Sequence, residues 1–415
     1  MSAKGMTSMN VRERFLATMA FEPIDRAPLW EWDYWPEALQ IWQAAGAPLR
    51  ADRAQSVNPS ADQEEGAFDP LSTTLLSDPP FAEDAGLDFT IDPGARRIPL
   101  NSFIYPLFEY KVLEERGDVI ISQDERGHIR EDKKGRSSIA NIIKPLVAGR
   151  EDWEKVKAER LQLKMAGRLP ANWPALREEY KRRDFVLAIG GHSGLCGIYH
   201  PTRYLMGPVN LLYAFHDQPE LVRDIMNHLA QLQIYLFDQV LNEIDVDFCY
   251  ACEDLGFKNS SFISPAMFRE FLLPSYKKLT GMLRDHGVKI MVVDSDGYNW
   301  KLIPLFMEGG VTGMGPMEVA AGMDVVEVRK AFPRFQIIGG IDKRAMAAGK
   351  DAIDTELNRK VPPLFKTGGY IPCCDHSVPP DVSWENFRYY RKRLTELAGT
   401  RADLEHSPAL SETTA

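Results

Sequence analysis

The stretch VKIMVVDSDG, residues 288–297, decides the fold of this chain. Its apolar run has no alternation with polar residues, which is typical of a strand buried on both faces in a parallel sheet. Side chains alternate along a strand, so Asp294 and Asp296 are expected on the same face where the strand ends. Two neighbouring carboxylates repel each other unless a cation or a shared proton relieves the charge. The stretch therefore predicts both a parallel sheet and a chemical site at its edge.

Similar strand-like runs, each followed by a helix-like run, occur before and after this stretch. The predicted strands lie at residues 28–35, 185–194, 246–256, 288–297, 311–322, 336–342 and 368–376. The helices predicted to follow them lie at residues 36–45, 219–242, 265–286, 300–309, 325–331, 344–364 and 384–397. Such units in series predict an α/β fold of the (β/α)8 TIM-type barrel class. A doubly wound open sheet is the alternative, but no G-x-G-x-x-G motif follows an early strand.

The N-terminal third departs from this alternation. Residues 109–135 have turn signals at Gly117–Asp118 and Arg126–Gly127 between alternating stretches, which predicts a small β-hairpin or meander. We expect a single barrel domain over residues 11–398 with an inserted, hairpin-containing subdomain at about 47–150, and disordered tails at 1–10 and 399–415. Two roles for the insertion remain open: it is either a lid over the site or a contact surface for a partner protein.

The composition limits the class of protein. With 415 residues, of which 44% are hydrophobic, the chain can bury a sizeable core. The formal net charge of −10 and the pI near 5.4 argue against binding of nucleic acid or of anionic membranes. Five cysteines do not make a disulfide framework in a chain this long, and no apolar stretch reaches the roughly 18 residues of a membrane span. We expect a soluble cytoplasmic protein, and its acidic surface is compatible with a homodimer.

Polar side chains follow the predicted strands at the points where these end. In (β/α)8 barrels the catalytic groups lie on that face. A single residue of this kind is more often a helix cap, and Asp342 before Lys343 is interpreted in that way. The whole set predicts a functional cleft, and it comprises Glu31, Asp33, His192, Cys252, Glu253, Asp254, Asp294, Asp296, Glu318, Asp342, Cys373, Cys374, Asp375 and His376.

A metal site is one interpretation of this set. Asp294, Asp296 and His376 are the candidate ligands, with Cys374 and Glu253 as further candidates. Carboxylate oxygen, imidazole nitrogen and thiolate sulfur together suit zinc, whereas oxygens alone would suit magnesium or manganese. Against a metal, the chain has no compact C-x-x-C or H-E-x-x-H spacing, and free cysteines most often behave as small buried hydrophobic residues.

Aromatic and basic residues supply candidates for substrate binding. Trp30 and Trp32 are two residues apart and so share a face, which either packs in the core or lines an apolar pocket. His192 follows two glycines, an arrangement typical of a simple turn or of a loop that a ligand approaches closely, and it is the candidate catalytic histidine. The substrate-binding candidates are Trp30, Trp32, Tyr34, Tyr199, His200 and Arg203.

The sequence resembles the uroporphyrinogen decarboxylase superfamily over residues 11–397. The resemblance rests on the stretches VRERFLATMAFEPIDRAPLWE, RYLMGPVNLLYAFHDQPELV, EDLGFKNSSFISPAMFREFLLPSYKKL, HGVKIMVVDSDGYNWKLIPLFMEGGV and GGYIPCCDHSVPPDVSWENFRYY. That superfamily holds metal-free porphyrinogen decarboxylases and zinc-dependent methyltransferases that work with corrinoid proteins. For both branches the resemblance implies a (β/α)8 barrel with its site at the C-terminal ends of the strands.

The decarboxylase branch uses arginines in an early R-x-x-x-R loop to bind a substrate with many carboxylates. The matching region here, RAPLWEWDYW, has Arg26 and no second arginine, and the predicted mouth of the barrel is acidic. The alternative function that remains from this branch is a decarboxylase or other lyase acting on a smaller carboxylated substrate.

In the methyltransferase branch, a His-x-Cys pair on one strand and a Cys on the last strand hold zinc. The flanking patterns place Asp294, Asp296 and His376 at those positions, so the spacing is kept while the ligand types change. Such harder donors favour an oxygen-bearing substrate over a thiol. The resemblance implies a zinc-dependent methyltransferase or O-demethylase that moves a methyl group from a small methylated oxygen compound to cobalamin. The cobalamin would be carried by a separate corrinoid protein, and Glu253 or Glu318 would supply a proton.

Overall fold

The computed structural model describes residues 8–56, 70–76, 78–82, 85–134, 141–192 and 195–399. Most of the tails predicted to be disordered, residues 1–7 and 400–415, lie outside the described residues. The first helix begins with a capping box, in which the Asn10 side chain accepts a hydrogen bond from the Glu13 N–H and the Glu13 side chain accepts one from the Asn10 N–H.

Strands in the described residues form two separate sheets. The strands are β1 (Arg96–Arg97), β2 (Lys111–Arg116), β3 (Val119–Gln123), β4 (Ile129–Lys133), β5 (Asn141–Lys144), β6 (Leu187–Gly190), β7 (Phe248–Cys252), β8 (Met291–Asp294), β9 (Gly313–Gly315), β10 (Gln336–Ile338) and β11 (Tyr370–Ile371). The main sheet has seven parallel strands in the order β1-β6-β7-β8-β9-β10-β11. The second sheet has four antiparallel strands in the order β2-β3-β4-β5.

Helices follow the strands of the main sheet, as the alternating pattern predicts. The α-helices are α1 (Val11–Met19), α2 (Pro36–Ala44), α3 (Ala51–Ser56), α4 (Arg150–Arg160), α5 (Trp173–Tyr180), α6 (Tyr199–Met206), α7 (Pro208–Asp217), α8 (Pro219–Leu241), α9 (Pro265–Met267), α10 (Leu273–Asp285), α11 (Ile303–Glu308), α12 (Val325–Ala331), α13 (Lys343–Ala348), α14 (Lys350–Thr367) and α15 (Trp384–Leu397). Asp342 caps α13 by accepting the Arg344 N–H at 2.9 Å, as predicted.

The helix predicted over residues 265–286 is interrupted by a π-helical turn, Phe268–Leu272, between α9 and α10. The cause lies in Pro274, which lacks an N–H and whose ring would clash with a carbonyl one turn earlier in a regular α-helix. A wider turn immediately before the proline relieves that clash.

The main sheet curls around an inner layer of side chains. Alternate residues of the strands, such as Ala188, Tyr250 and Val292, pack in one cluster with Trp30 and Trp32. The intervening strand residues pack in the other cluster, against the helices. Phe15 and Met19 of α1 also belong to the inner cluster. The described residues thus form a curled half-barrel, and the closed (β/α)8 barrel stays a prediction.

The strand predicted at residues 28–35 is an extended segment with a single bridge, from Tyr34 to Val378, so that prediction is wrong in its detail. The buried Arg391 guanidinium donates to the carbonyls of Leu29 and Trp30. Those carbonyls are among the acceptors that a longer strand ladder would use, so the ladder is interrupted there.

The second sheet contains the meander predicted at residues 109–135, with its turns at Gly117–Asp118 and after Gln123. It packs against α6: the Arg126 guanidinium lies 4.3 Å from the centre of the Tyr204 ring. His128 Nε2 is hydrogen-bonded to the Tyr204 carbonyl. Among the described residues, no helix is both long and apolar enough to span a lipid bilayer.

Candidate functional site

The strongest candidate site lies where β8 and β11 end. Asp294 is the last residue of β8, and Asp296 follows it in the next loop. His376 lies on the loop after β11, and its Nε2 is 3.3 Å from Asp296 Oδ2. The structure thus brings together two of the residues that the sequence places at one cleft, and their role as metal ligands stays a prediction.

The charge of Asp296 shifts the pKa values of its two neighbours, His376 and Asp294. The hydrogen bond to Asp296 raises the pKa of His376 above its ordinary value, although partial burial opposes the effect. The pKa of Asp294 is raised well above its usual range by burial, and the negative charges of Asp296 and Asp254 add to the shift. A cation bound here would relieve that repulsion, because it stabilises the charged form of a carboxylate.

A second group of charges borders the pair. Glu318 accepts a hydrogen bond from the Gly297 N–H at 3.1 Å, which holds it beside the Asp296 loop. Lys343 Nζ lies 3.3 Å from Glu318 and 3.4 Å from the buried carboxylate of Asp375. Burial acts to lower the pKa of Lys343, but Asp375 and Glu318 outweigh it and raise the pKa, so the amine stays charged. Sequence reasoning missed Lys343, although it directly follows a capping residue at a strand end.

A histidine group forms the wall of the site next to β6 and β7. His200 Nδ1 lies 3.0 Å from Asp254 Oδ2, and Arg203 donates to the same oxygen at 2.9 Å. Burial acts to raise the pKa of Asp254, yet the hydrogen bond from His200 and the charges of His200 and Arg203 hold it well below its usual range. The His192 ring is solvent-accessible, while the protein around it lowers its pKa to about 4 by disfavouring the charged form. His192 is therefore a neutral imidazole at neutral pH.

A small cavity adjoins the site at the extended segment. It has a volume of about 260 Å³ and is lined by Trp32, Asp33, Arg53, Thr74, Leu75 and Asp78. The Trp32 ring belongs to the inner cluster and reaches β9 at Gly315, where an added Cβ would lie 2.4 Å from the indole. Glycine at that position is what allows the indole to occupy the space.

A family model described as "Uroporphyrinogen decarboxylase (URO-D)" matches residues 135–397. The chain belongs to the uroporphyrinogen decarboxylase family. A solved structure described as "methyltransferase from Methanosarcina mazei" is similar to the URO-D chain with a TM-score of 0.55 and 14% sequence identity, over 94% of this chain and 99% of that one. At that identity the likeness concerns the fold. No curated protein matches the sequence significantly.

Two of the four predicted metal ligands in this URO-D chain are in contact, and one is misplaced. Cys374 is buried in the outer cluster, and burial raises the pKa of its thiol well above the usual range. Its prediction as a ligand beside His376 assumed that the chain stays extended through His376, but the chain bends at Asp375 and His376, directly after the bridge between Cys374 and Ile341. Within the described residues, no group of three His, Cys, Asp or Glu side chains is already arranged around one point.

The Asp296–His376 spacing is the observation that tests the fit of a metal. Donor atoms about 2.0–2.2 Å from a tetrahedral zinc ion lie about 3.3–3.5 Å from each other. The 3.3 Å separation of Asp296 Oδ2 and His376 Nε2 agrees with that value. That spacing is compatible with two donors of one metal ion, and equally with the ion pair that the two side chains form.

The position of Glu253 does not favour its predicted role as a proton donor. The carboxylate is fully buried and accepts the N–H groups of Ile198, Tyr199 and His200 at 2.7–3.0 Å, together with the Tyr276 hydroxyl. Burial raises its pKa to about 7. Glu253 thus fixes the start of α6, where backbone N–H groups lack partners within the helix.

Three of the predicted substrate-binding residues are core residues instead. Tyr34 packs edge-on against Trp42 in the outer cluster, and Tyr199 stacks on Phe215. Trp30 stacks on Phe15 in the inner cluster and is 1% exposed. Of the remaining candidates, Trp32 lines the cavity, and His200 and Arg203 form part of the histidine group.

Proposed function

We propose that this protein is a methyltransferase that removes the methyl group from a small methylated oxygen compound. The contact between Asp296 and His376, beside Asp294 at the strand ends, is the observation that carries the proposal. Membership of the URO-D family supports it, and so does the fold shared with a structure described as a methyltransferase. The proposal includes a closed (β/α)8 barrel, in which residues 29–35 serve as the eighth strand position.

Asp296 and His376 would hold a zinc ion in this proposal, and Asp294 would be the third protein ligand. Bound zinc would act as a Lewis acid on the oxygen that the methyl group leaves. A bound cation would stabilise the charged form of Asp294, whose pKa is raised by burial and further by the charge of Asp296. Cys374 has no part in the site, since its side chain packs on the other side of the chain.

The remaining residues of the cleft would control the proton and the substrate. Glu318 is the carboxylate that we assign to proton transfer, because it lies beside the Asp296 loop and keeps solvent access. Lys343 keeps Glu318 oriented through their ion pair. His192, neutral at neutral pH, would accept a hydrogen bond from the substrate.

The methyl acceptor would be Co(I) of cobalamin on a separate corrinoid protein. The cobalamin would supply the electron pair that takes up the methyl group, and Glu318 would hold the proton for the oxygen that leaves. The oxygen that leaves takes up a proton, so charge and atoms balance.

Metal analysis tests the proposed ligand set. Protein purified without chelator should contain about one zinc per chain, and Asp296→Ala and His376→Ala should each lose it. Cys374→Ala is the matched control, because it removes a metal-binding residue type two positions from His376 without touching the site. Retention of zinc in both ligand variants, or its loss in Cys374→Ala, would contradict the assignment.

A metal-free decarboxylase or lyase is the second candidate, and the raised pKa of His376 favours it. Asp296 raises the pKa of His376, so the ring can carry a proton to a carbanion left by loss of carbon dioxide. A protein that contains no zinc after purification without chelator, but releases carbon dioxide from a small acid in a His376-dependent manner, would establish this alternative.

A further inference from the structure

The cavity at Trp32 and Asp33, which we call the Asp33 cavity, has the size of a small-molecule subsite. Its volume of about 260 Å³ is below the range of roughly 300–1,000 Å³ typical of sites for drug-sized ligands. It can accept a fragment of a few non-hydrogen atoms and excludes a multi-ring macrocycle.

The charges around the Asp33 cavity are unequally compensated. Asp78 accepts hydrogen bonds from Arg50 at 2.6 and 2.9 Å and from Arg53 at 3.1 Å, so its negative charge is met by the protein. In the part of the chain that the structure describes, the Asp33 carboxylate forms no salt bridge, and it is exposed to solvent. Desolvation by the surrounding protein raises the pKa of Asp33, although the Tyr34 N–H and the charges of Arg53 and His376 act against the shift.

Trp32 is the aromatic residue among those that line the cavity. The indole is fixed between Gly315 and the Tyr250 ring, whose centre is 6.3 Å away. An aromatic ring and a carboxylate that has no salt bridge among the described residues attract cations and hydrogen-bond donors and disfavour anions, and the nearby charge of Arg53 only partly opposes this preference.

The Asp33 cavity also lies beside the proposed metal site. The Val378 N–H, two residues beyond His376, donates to the Asp33 carbonyl at 2.8 Å. The charge of His376 contributes to the field at Asp33. One small molecule could therefore lie in the cavity and present its methylated oxygen to Asp296 and His376.

We propose that the Asp33 cavity binds the part of the substrate that is not transferred, and that it selects small methyl ethers bearing an ammonium or hydroxyl group over those bearing a carboxylate. The inference rests on the proposed function in taking the substrate to be a methyl ether. Asp33 would accept the hydrogen bond of the donor group, and Trp32 would pack against the carbon atoms of the same ligand.

Three matched probes test the charge preference directly: 2-methoxyethylammonium, 2-methoxyethanol and methoxyacetate. They carry a cation, a neutral donor and an anion on nearly the same framework. Binding is measured by ligand-observed NMR and calorimetry with zinc-loaded full-length protein and no cobalamin. We expect the cation and the alcohol to bind at least ten-fold more tightly than methoxyacetate. Asp33→Asn should weaken binding of the cation at least ten-fold, while Asp33→Glu should largely retain it.

The control variant is Asp88→Asn, which removes a half-exposed carboxylate paired with Arg388 outside the cavity and should leave all three affinities unchanged. Tighter binding of methoxyacetate, an unchanged preference in Asp33→Asn, or no binding of any probe would overturn the proposal. Thermal unfolding of each variant verifies folding, and Asp33→Glu keeps the test valid if Asp33→Asn does not fold. Probes that bind as expected without donating a methyl group would leave the subsite established and count against the proposed function.

Discussion

At the scale of single residues, the ion pair of Asp296 with His376 sets the charge of the candidate site. The carboxylate raises the pKa of His376, so the imidazolium form is favoured in the folded protein. A group whose pKa is raised on folding stabilises the native state fully below its unfolded pKa, near 6.5, and loses that contribution as pH rises through the folded pKa.

Asp296→Asn should therefore lower the pKa of His376 toward its ordinary value in chelator-treated protein. Histidine ring NMR measures this directly, with His376→Gln used to identify the signal. The free energy of unfolding of the wild type should exceed that of Asp296→Asn most below pH 6.5, and the difference should shrink at higher pH. A His376 titration that is the same in both proteins would contradict the assigned ion pair.

The spacing of residues in the sequence predicted part of the candidate site, and the local path of the backbone explains the residues that were assigned wrongly. Asp296 and His376 come together as the strand-end pattern predicts, because the ends of parallel strands share one edge. The alternation of side chains did not hold between Cys374 and His376, since the chain bends there after the bridge of Cys374 with Ile341. Glu253 was misassigned because its partners, the first N–H groups of α6, are distant in sequence and only the folded chain brings them together.

At the scale of elements, the Trp32 side chain restricts which residue the short strand β9 can have at position 315. A Cβ at Gly315 would lie 2.4 Å from the Trp32 ring and 3.0 Å from the Ile338 carbonyl. Gly315→Ala should therefore displace the indole and destabilise the protein by about 1–3 kcal/mol, as overpacking of a core does.

Urea unfolding measures this cost, and near-ultraviolet circular dichroism reports the movement of the indole. Gly281→Ala is the matched control, because Gly281 lies within α10 and an added Cβ there would meet no atom within 4 Å. This variant should be more stable than the wild type by roughly 0.5–1 kcal/mol, since alanine has the better helix propensity. Equal stability of the two variants would show that Trp32 does not occupy the position described.

The elements themselves were largely predictable from periodicity. Helices α8 and α15 lie within a residue of their predicted bounds, because long amphipathic runs carry strong signals, and the short helix α12 also matches its predicted bounds. The segment at residues 29–35 was mispredicted as a strand for a reason that local sequence does not contain. Its carbonyls bind Arg391, which is about 360 residues away in the chain.

At the scale of the whole molecule, the curled sheet brings residues from both ends of the chain to one cleft. Asp33 comes from the first segment, Asp296 from the middle and His376 from the last strand loop. The antiparallel sheet reaches the same region through Arg126 and His128, which contact Tyr204 of α6. The periodicity predicted the repeated units, but the packing of the meander on α6 depends on contacts that the sequence pattern does not encode.

The most direct test of the central claim is a methyl-transfer assay with zinc-loaded protein, a small methyl ether and reduced cobalamin, followed by the absorbance of methylcobalamin. We expect methylation by the wild type and by Cys374→Ala. His376→Ala should lose at least the roughly 10–100-fold typical of removing a residue that supports a metal ligand. Equal rates in His376→Ala and the wild type, or no methylation of cobalamin by any zinc-loaded protein, would contradict it.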